Sequence, residues 1–234
     1  MNFIKRFEIT RVENNIVRKM VDEVIVENTF DLYLNGVFST KLLCLARDLD
    51  ALVYGHLFAL GIIKIKSDLE YLAIGEDRID VRLKSLNITA DDHVFSGPVK
   101  PFIMLEELFA KVEQLNTQSS LFEATGGVQC ATLWHKDGRQ IFKEDLGRHN
   151  AVDKVLGRAL LEDWDFSETF LLTAGRVPGD LIAKALKVGL SMVVSCSAPT
   201  HKAIELAREH GITLCGFARG RRLNIYSVPE RILV

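Results

Sequence analysis

The chain has 234 residues, 48% of them hydrophobic and 26% charged, with 29 Lys and Arg against 31 Asp and Glu and a formal net charge of −2. This is ordinary globular composition, enough for one large core or two modest ones, and it excludes capture of nucleic acid or an acidic membrane by overall charge. No apolar run is long enough to span a bilayer, and Met1-Asn2-Phe3-Ile4-Lys5-Arg6 lacks the hydrophobic segment of a signal peptide, so a cytoplasmic protein is expected.

The amino-terminal part reads as β-rich. Phe3, Lys5, Phe7 and Ile9 share one side of an alternating segment, and residues 23–27 form a short strand. Residues 30–34 and 37–42 flank Asn35-Gly36, a two-residue hairpin signal. A helix is predicted over 48–61, with Leu49, Leu52, Val53, Leu57 and Leu60 in one stripe and His56 packed beside it. Residues 69–74 and 79–83 make a second strand pair. Residues 85–101 carry two prolines and weak periodicity, which marks a linker or loop. A helix over 105–115 follows. The polar run Asn116-Thr117-Gln118-Ser119-Ser120 then sets a boundary between a β-rich domain at 1–116 and an α/β domain at 117–234.

In the second part, residues 128–134 and 140–143 are strands about Lys136-Asp137-Gly138. The stretch Glu144 to Gly157 then turns at Gly147 and enters a helix. Asn150 fits its N-cap and Asp153 the reciprocal capping-box partner, while Val152, Val155, Leu156, Ala159 and Leu160 form its apolar face. Arg148 and His149 remain in the turn, beside the positive end of the helix dipole. They make either an anion cradle or solvated charges ahead of a core helix. Residues 169–173 form a strand buried on both faces. Pro178 or Gly179 opens a helix, residues 192–194 form another strand, and Pro199 starts a helix over 200–210 that Gly211 stops. Strands at 212–217 and 223–226 complete an α/β layer on a largely parallel or mixed sheet.

Ligands in such sheets sit beyond the carboxyl ends of strands. Four turns at those ends are rich in small residues: Gly147-Arg148-His149-Asn150, Ala174-Gly175-Arg176, Cys196-Ser197-Ala198-Pro199-Thr200 and Ala218-Arg219-Gly220-Arg221-Arg222. Small residues admit the backbone to a ligand, and Arg suits bidentate contact with phosphate. Their recurrence favours a phosphate-bearing ligand over four unrelated solvated turns. There is no G-x-x-x-x-G-K-[ST] loop and no G-x-G-x-x-G fingerprint, so ordinary ATPase and dinucleotide folds are disfavoured. Three basic residues at 219–222 without interleaved aromatics are too few for a nucleic-acid patch. Cys44, Cys130, Cys196 and Cys215 are widely spaced in apolar surroundings, which argues against a disulfide framework or a zinc knuckle and for small buried hydrophobes.

On Thr125-Gly126-Gly127, Glu144-Asp145-Leu146-Gly147-Arg148-His149-Asn150-Ala151-Val152-Asp153-Lys154, Gly175-Arg176, Ala198-Pro199-Thr200 and Leu214 to Arg221, in that order, the chain resembles the formate dehydrogenase accessory sulfurtransferase family. The resemblance implies a sulfur carrier that takes sulfur from a cysteine desulfurase. It would deliver that sulfur to the molybdenum or tungsten of a bis-molybdopterin guanine dinucleotide cofactor before insertion into the formate dehydrogenase apoenzyme. It also implies a homodimer and a carboxyl-terminal domain similar to the cytidine deaminase layer. Phe217, Ala218, Arg219, Gly220, Arg221 and Arg222 would line the cofactor site, with GDP as a mimic. The turn argument adds Arg148, His149 and Arg176. Deaminase activity and a resident metal are not expected, because the His-x-Glu and Pro-Cys-x-x-Cys ligands are absent.

Two departures limit what carries over. Gln129 stands where many members have His. The family's Cys-x-x-Cys pair is missing from Asn87-Ile88-Thr89-Ala90-Asp91-Asp92-His93-Val94-Phe95-Ser96. A persulfide carrier needs a thiolate, so the catalytic residue is unassigned. Cys196 is the best-placed substitute, at a strand end where a helix N-terminus and Arg neighbours would lower its pKa, with a buried inert cysteine as the alternative reading. The rival function is a cofactor-binding chaperone that carries no sulfur.

Overall fold

The computed structural model describes residues 3–84, 99–100 and 102–234. The expected loop at 85–101 lies almost wholly outside them, and with it the stretch from Asn87 to Ser96.

Strands β1 (Ile4–Glu13) and β2 (Ile16–Ile25) pair antiparallel as a two-stranded ribbon. Asn14 and Asn15 close it with φ of 51° and 62°, the two positive values that a tight hairpin turn requires. The short strand expected at 23–27 is therefore the end of a longer one. β3 (Asn28–Leu34) and β4 (Val37–Cys44) form the hairpin expected about Asn35-Gly36, again with two positive φ values. Helix α1 (Leu49–Ala59) follows. β5 (Leu69–Ile74) and β6 (Arg78–Leu83) complete a four-stranded sheet in the order β4-β3-β6-β5, in which β3 and β6 are parallel. Its inner face is Phe30, Leu32, Leu42, Ile79 and Val81, all buried.

After β7 (Ile103–Met104), helices α2 (Leu105–Thr117) and α3 (Ser120–Thr125) occupy the region of the expected boundary. Ser119 separates them and caps α3 by accepting from the Phe122 amide. Then come β8 (Gln129–His135), β9 (Gln140–Asp145), α4 (Arg148–Leu161), β10 (Thr169–Thr173), α5 (Gly179–Val188), β11 (Met192–Ser195), α6 (His201–Glu209), β12 (Thr213–Arg219), β13 (Arg222–Ser227) and β14 (Ile232–Leu233). Six of these strands form one sheet in the order β13-β12-β11-β10-β8-β9. β10, β11 and β12 are mutually parallel, and β8 is antiparallel to both β10 and β9. So β9, β10, β11 and β12 all end at the same edge. The mixed α/β character expected from the alternating pattern is observed. β10 is buried along its whole length because both faces of the sheet are covered.

One face carries α4, α5 and α6 together with α1, and its core runs without a break into the inner face of the four-stranded sheet. The other face packs Leu108, Val112 and Leu115 of α2 against Trp134, Phe170, Leu172 and Val194. The closest packing is between α1 and α4, where two glycines cross. A methyl on Gly55 would lie 1.7 Å from the Asp153 carbonyl oxygen, and one on Gly157 would lie 1.9 Å from that of Ala51.

The start of α4 departs from expectation. Gly147 is the N-cap residue, so Arg148 and His149 open the helix and Asn150 sits within its first turn. The Asn150 amide donates instead to the Leu43 carbonyl at 2.7 Å and to Asp145 Oδ1 at 2.9 Å. Asp153 closes no capping box. It is buried, accepts from Lys184 Nζ, and lies 3.3 Å from His56 Nδ1. The cause is Asp145, whose fully buried carboxylate claims nearby donors. It holds Lys154 Nζ at 2.6 Å, both side chains being 0% exposed, and also accepts from the amides of Leu45 and Gly147. Lys154 spends its other protons on the carbonyls of Leu45 and Glu144.

Two outcomes follow for stability. Gly157→Ala will force the α1 and α4 backbones apart and cost about 3 kcal/mol or more, read from the urea midpoint. Lys154→Met preserves bulk but strands a buried carboxylate, and is expected to cost about 3–5 kcal/mol in the same titration.

Candidate functional site

The four turns identified from the sequence sit at the common edge of β9, β10, β11 and β12, and three of them interlock. Gly175 is pressed so closely against α4 that an added methyl would lie 2.9 Å from Arg148 Cβ and 3.1 Å from Gln129 Oε1. Ser195 Oγ donates to the Gly175 carbonyl at 2.7 Å and accepts from the Ser197 amide at 2.8 Å. Val177 and Pro199 form a parallel bridge between the second and third turns. The Phe217 amide donates to the Ser197 carbonyl at 2.9 Å, which ties in the start of the fourth.

Arg148, at the first helical position of α4, lies against Gly175. Its Nε is buried and has no hydrogen-bond partner among the described residues. Such a donor costs about 1–3 kcal/mol unless something outside the chain accepts from it. His149 Nε2 is 3.1 Å from Asp180 Oδ2, an ion-pair distance without hydrogen-bond geometry. Arg176 follows Gly175 and is exposed. Arg219 is exposed but anchored, its Nε donating to the Cys196 carbonyl at 2.9 Å.

The segment expected as a turn from Ala218 is different in form. β12 continues to Arg219, Gly220 and Arg221 make the bend, and Arg222 begins β13. Ala218 is fully buried toward α2. Arg221 pairs with Glu106 of α2, both exposed, so this ion pair contributes little. Phe217 has φ of 55° where the β12–β13 register breaks. A left-handed aromatic residue stores about 1–3 kcal/mol of strain, and such strain clusters at functional sites. The structure therefore brings Arg148, Arg176, Arg219 and Phe217 to one edge, while Arg221 turns toward α2. Gln129 and Ser195 are further participants. Gln129 is recognisable in the sequence only as a departure from the resembling family, and Ser195 only as a polar end to a buried strand.

All four cysteines are buried. Burial raises the thiols of Cys44 and Cys215 to about 12 and that of Cys130 to about 11. At Cys196 burial also raises the thiol, and Arg219 only partly offsets it. The lowering expected there from a helix N-terminus is not found, because the side chain lies in the apolar layer under α2. Continuing the register of β8, β10 and β11, Cys130, Ala174 and Cys196 fall in one row on the α2 face. Two strand spacings separate the cysteines by about 10 Å, beyond the reach of a disulfide. Cys130 also adjoins Ser119, which donates to the buried Glu144 carboxylate that Arg47 pairs from outside.

A mixed sheet with interlocked, Arg-bearing turns at one edge defines an α/β scaffold with basic side chains gathered at that edge. Comparison with known proteins gives the lineage. A model described as the FdhD/NarQ family matches residues 95–233, and the chain belongs to that family. It is 33% identical to the "Sulfur carrier protein FdhD" of Wolinella succinogenes over 98% of this chain and 90% of that protein. It is also 33% identical to the "Protein FdhD" of Methanocaldococcus jannaschii, over 96% of each chain. A crystal structure from Desulfotalea psychrophila, of a chain named for formate dehydrogenase accessory function, superposes with a TM-score of 0.85 at 27% identity. The match covers 99% of this chain and all of that one. Among the described residues, no helix is long and apolar enough to cross a membrane.

The thiol environments carry a double expectation. In the folded protein at pH 8, iodoacetamide will label all four cysteines far more slowly than in denaturant, as intact mass will read; rapid native labelling of Cys196 would contradict its burial. The unfolded chain ionises its thiols near the ordinary value of 9.0, whereas the folded chain holds Cys44, Cys130 and Cys215 protonated to about 11–12. Stability will accordingly fall as pH rises above 9.

Proposed function

We propose that this protein is a maturation factor for formate dehydrogenase that holds the bis-molybdopterin guanine dinucleotide cofactor at the carboxyl edge of its six-stranded sheet. The observation that carries the reading is Arg148, a cation whose buried Nε has no hydrogen-bond partner among the described residues, packed against a glycine that leaves no room for a side chain. These features fit the pyrophosphate of a guanine dinucleotide: an unfilled donor, close backbone, and Arg176 and Arg219 at the same edge. Helices α5 and α6 also begin there and favour negative charge at their first turns. The bound cofactor supplies the metal and its sulfur ligand chemistry. The chain's own residues bind and orient: Arg148, Arg176 and Arg219 neutralise phosphate oxygens, and the Phe217 bulge shapes the wall beside them.

The names of the relatives, a sulfur carrier protein and a formate dehydrogenase accessory protein, support a sulfur-carrying role; on this reading a cysteine desulfurase supplies the sulfur before the cofactor enters the formate dehydrogenase apoenzyme. A second reading is favoured by one observation, the burial and raised pKa of every thiol. On that reading the chain holds the cofactor as a chaperone and transfers no sulfur.

GDP, as the mimic of half the cofactor, tests the site by calorimetry. The wild type is expected to bind it, and Arg148→Ala to weaken binding by about tenfold or more through loss of a charged donor. Absence of wild-type binding to both GDP and the intact cofactor would remove the site assignment. Incubation with a cysteine desulfurase and cysteine, followed by intact mass, separates the two readings. A persulfide adduct lost in Cys196→Ala supports the carrier; no adduct, where a relative with the cysteine pair is labelled, leaves the chaperone.

A further inference from the structure

Edge strands expose unpaired backbone groups, and folded proteins blunt them with charge, covering side chains or proline. The sheet edges of this molecule differ in that respect. On β4, at one edge of the four-stranded sheet, Lys41 stands in mid-strand paired with Asp31, and the Leu43 carbonyl accepts from the Asn150 amide at 2.7 Å. On β13, at an edge of the larger sheet, the Tyr226 carbonyl accepts from Arg208 Nε at 3.0 Å. β5 is the other edge of the four-stranded sheet and has no such cover. It reads Leu69-Glu70-Tyr71-Leu72-Ala73-Ile74, without Lys or Pro, and no strand lies beside it among the described residues.

The register identifies the free groups. The Gly75 amide donates to the Arg78 carbonyl at 2.8 Å, which closes the β5–β6 hairpin. Hydrogen-bonded pairs alternate along an antiparallel ladder, so Ala73 exchanges bonds with Asp80 and Tyr71 with Arg82. The amides and carbonyls of Leu72 and Ile74 therefore point away from β6, toward the open edge. Leu72 is half-buried against the core, whereas Ile74 is 42% exposed.

Along that edge, on the outer face of the sheet, lies a cavity of about 600 Å³ bounded by Asn35, Tyr71, Ala73, Asp80 and Arg82. The two arginines of β6 on this face are in different states. Arg78 holds both carboxylate oxygens of Asp80 at 2.7 Å and lies over the Tyr33 ring. Arg82 is exposed, and its guanidinium forms no ion pair among the described residues. Of the two β5 side chains on the outer face, Tyr71 is large and Ala73 small. The way from the open edge into the cavity thus lies over Ala73.

We propose that the free edge of β5 takes up an extended segment of a partner protein as a fifth strand, with an acidic side chain of that segment laid over Ala73 to meet Arg82. Backbone pairing to Leu72 and Ile74 supplies affinity for an extended chain, and the cavity selects the charge. Asp80 is already neutralised by Arg78, so the lone guanidinium decides the sign. None of these residues is among those gathered at the carboxyl edge of the six-stranded sheet, so the assignment does not rest on the cofactor reading.

The probe is a blocked, fluorescent octapeptide of alternating threonine and valine with one central glutamate, titrated against the full chain by anisotropy. A peptide with a central lysine is its counterpart. The wild type is expected to prefer the glutamate peptide by about tenfold or more, and Arg82→Glu to reverse that preference. Binding is expected to slow amide exchange at Leu72 and Ile74. Ile74→Pro removes an edge amide without breaking the β5–β6 ladder, and is expected to abolish binding of both peptides. Ile74→Thr keeps the amide and is expected to bind, and the urea midpoints of both variants report that the fold is intact. Equal wild-type affinity for the two peptides, binding of neither, an unchanged preference in Arg82→Glu, or Ile74→Pro binding as Ile74→Thr does would each overturn the proposal. So would altered sedimentation of Ile74→Pro, which would give this edge to a second copy of the chain.

Discussion

Everything at the candidate site hangs on the buried pair of Asp145 and Lys154. Taking both ions out of water costs several kcal/mol each, and attraction at 2.6 Å repays it only because the remaining valences are filled. Asp145 gathers two backbone amides and the Asn150 side chain, and Lys154 gathers two carbonyls. Two of these groups belong to Leu45, a hundred residues earlier in the chain. The pair therefore fixes the end of β9, the first turn of α4 and the segment after β4 in one polar knot. Arg148 is three residues beyond Asp145, between Gly147 and Asn150 that Asp145 holds, so the backbone position from which it projects is set by that knot.

The knot also explains the division of labour at the edge. Residues facing α1, α4, α5 and α6 are organised by packing and close backbone approach, and among the described residues they leave the Arg148 Nε donor without a hydrogen-bond acceptor. Residues facing α2 are organised by burial, and they hold the thiols of Cys130, Cys196 and Cys215 protonated. Binding a highly charged ligand and activating a sulfur nucleophile place opposed demands on dielectric. In this chain the arginine-bearing turns and the cysteines of the six-stranded sheet lie on different sides of the same strands, and burial leaves those thiols protonated.

Much of this was legible in the sequence, for identifiable reasons. Asn35-Gly36 predicts its hairpin because the backbone requirement is local. The four turns were recognisable because glycine and arginine recur at strand ends, and strand direction then carries them to one edge. The Asn14-Asn15 turn carries the same kind of local signal, but β2 hides it. Its paired charges break the alternation that marks a half-buried strand, because this strand is not packed on the body at all. Asn150 reads as a cap in isolation and is not one, since its true partners, Leu43 and Asp145, are visible only in three dimensions. The state of Cys196 was likewise closed to local reasoning: a strand end beside arginine suggests activation, and only the position of α2 shows that the side chain is under cover.

The crossing of Gly55 over Gly157 bears on how the molecule can move. Where two helices touch through side chains, they slide or rock as rotamers change. Here main chain rests on main chain, and any shear would drive peptide groups through one another. The four-stranded sheet and the six-stranded sheet are thus locked as a single lever with no fulcrum between them. Nothing at the edge can close by tilting one half on the other, and adjustment there falls to the β12–β13 bend and the turns around it, where Phe217 already holds strain.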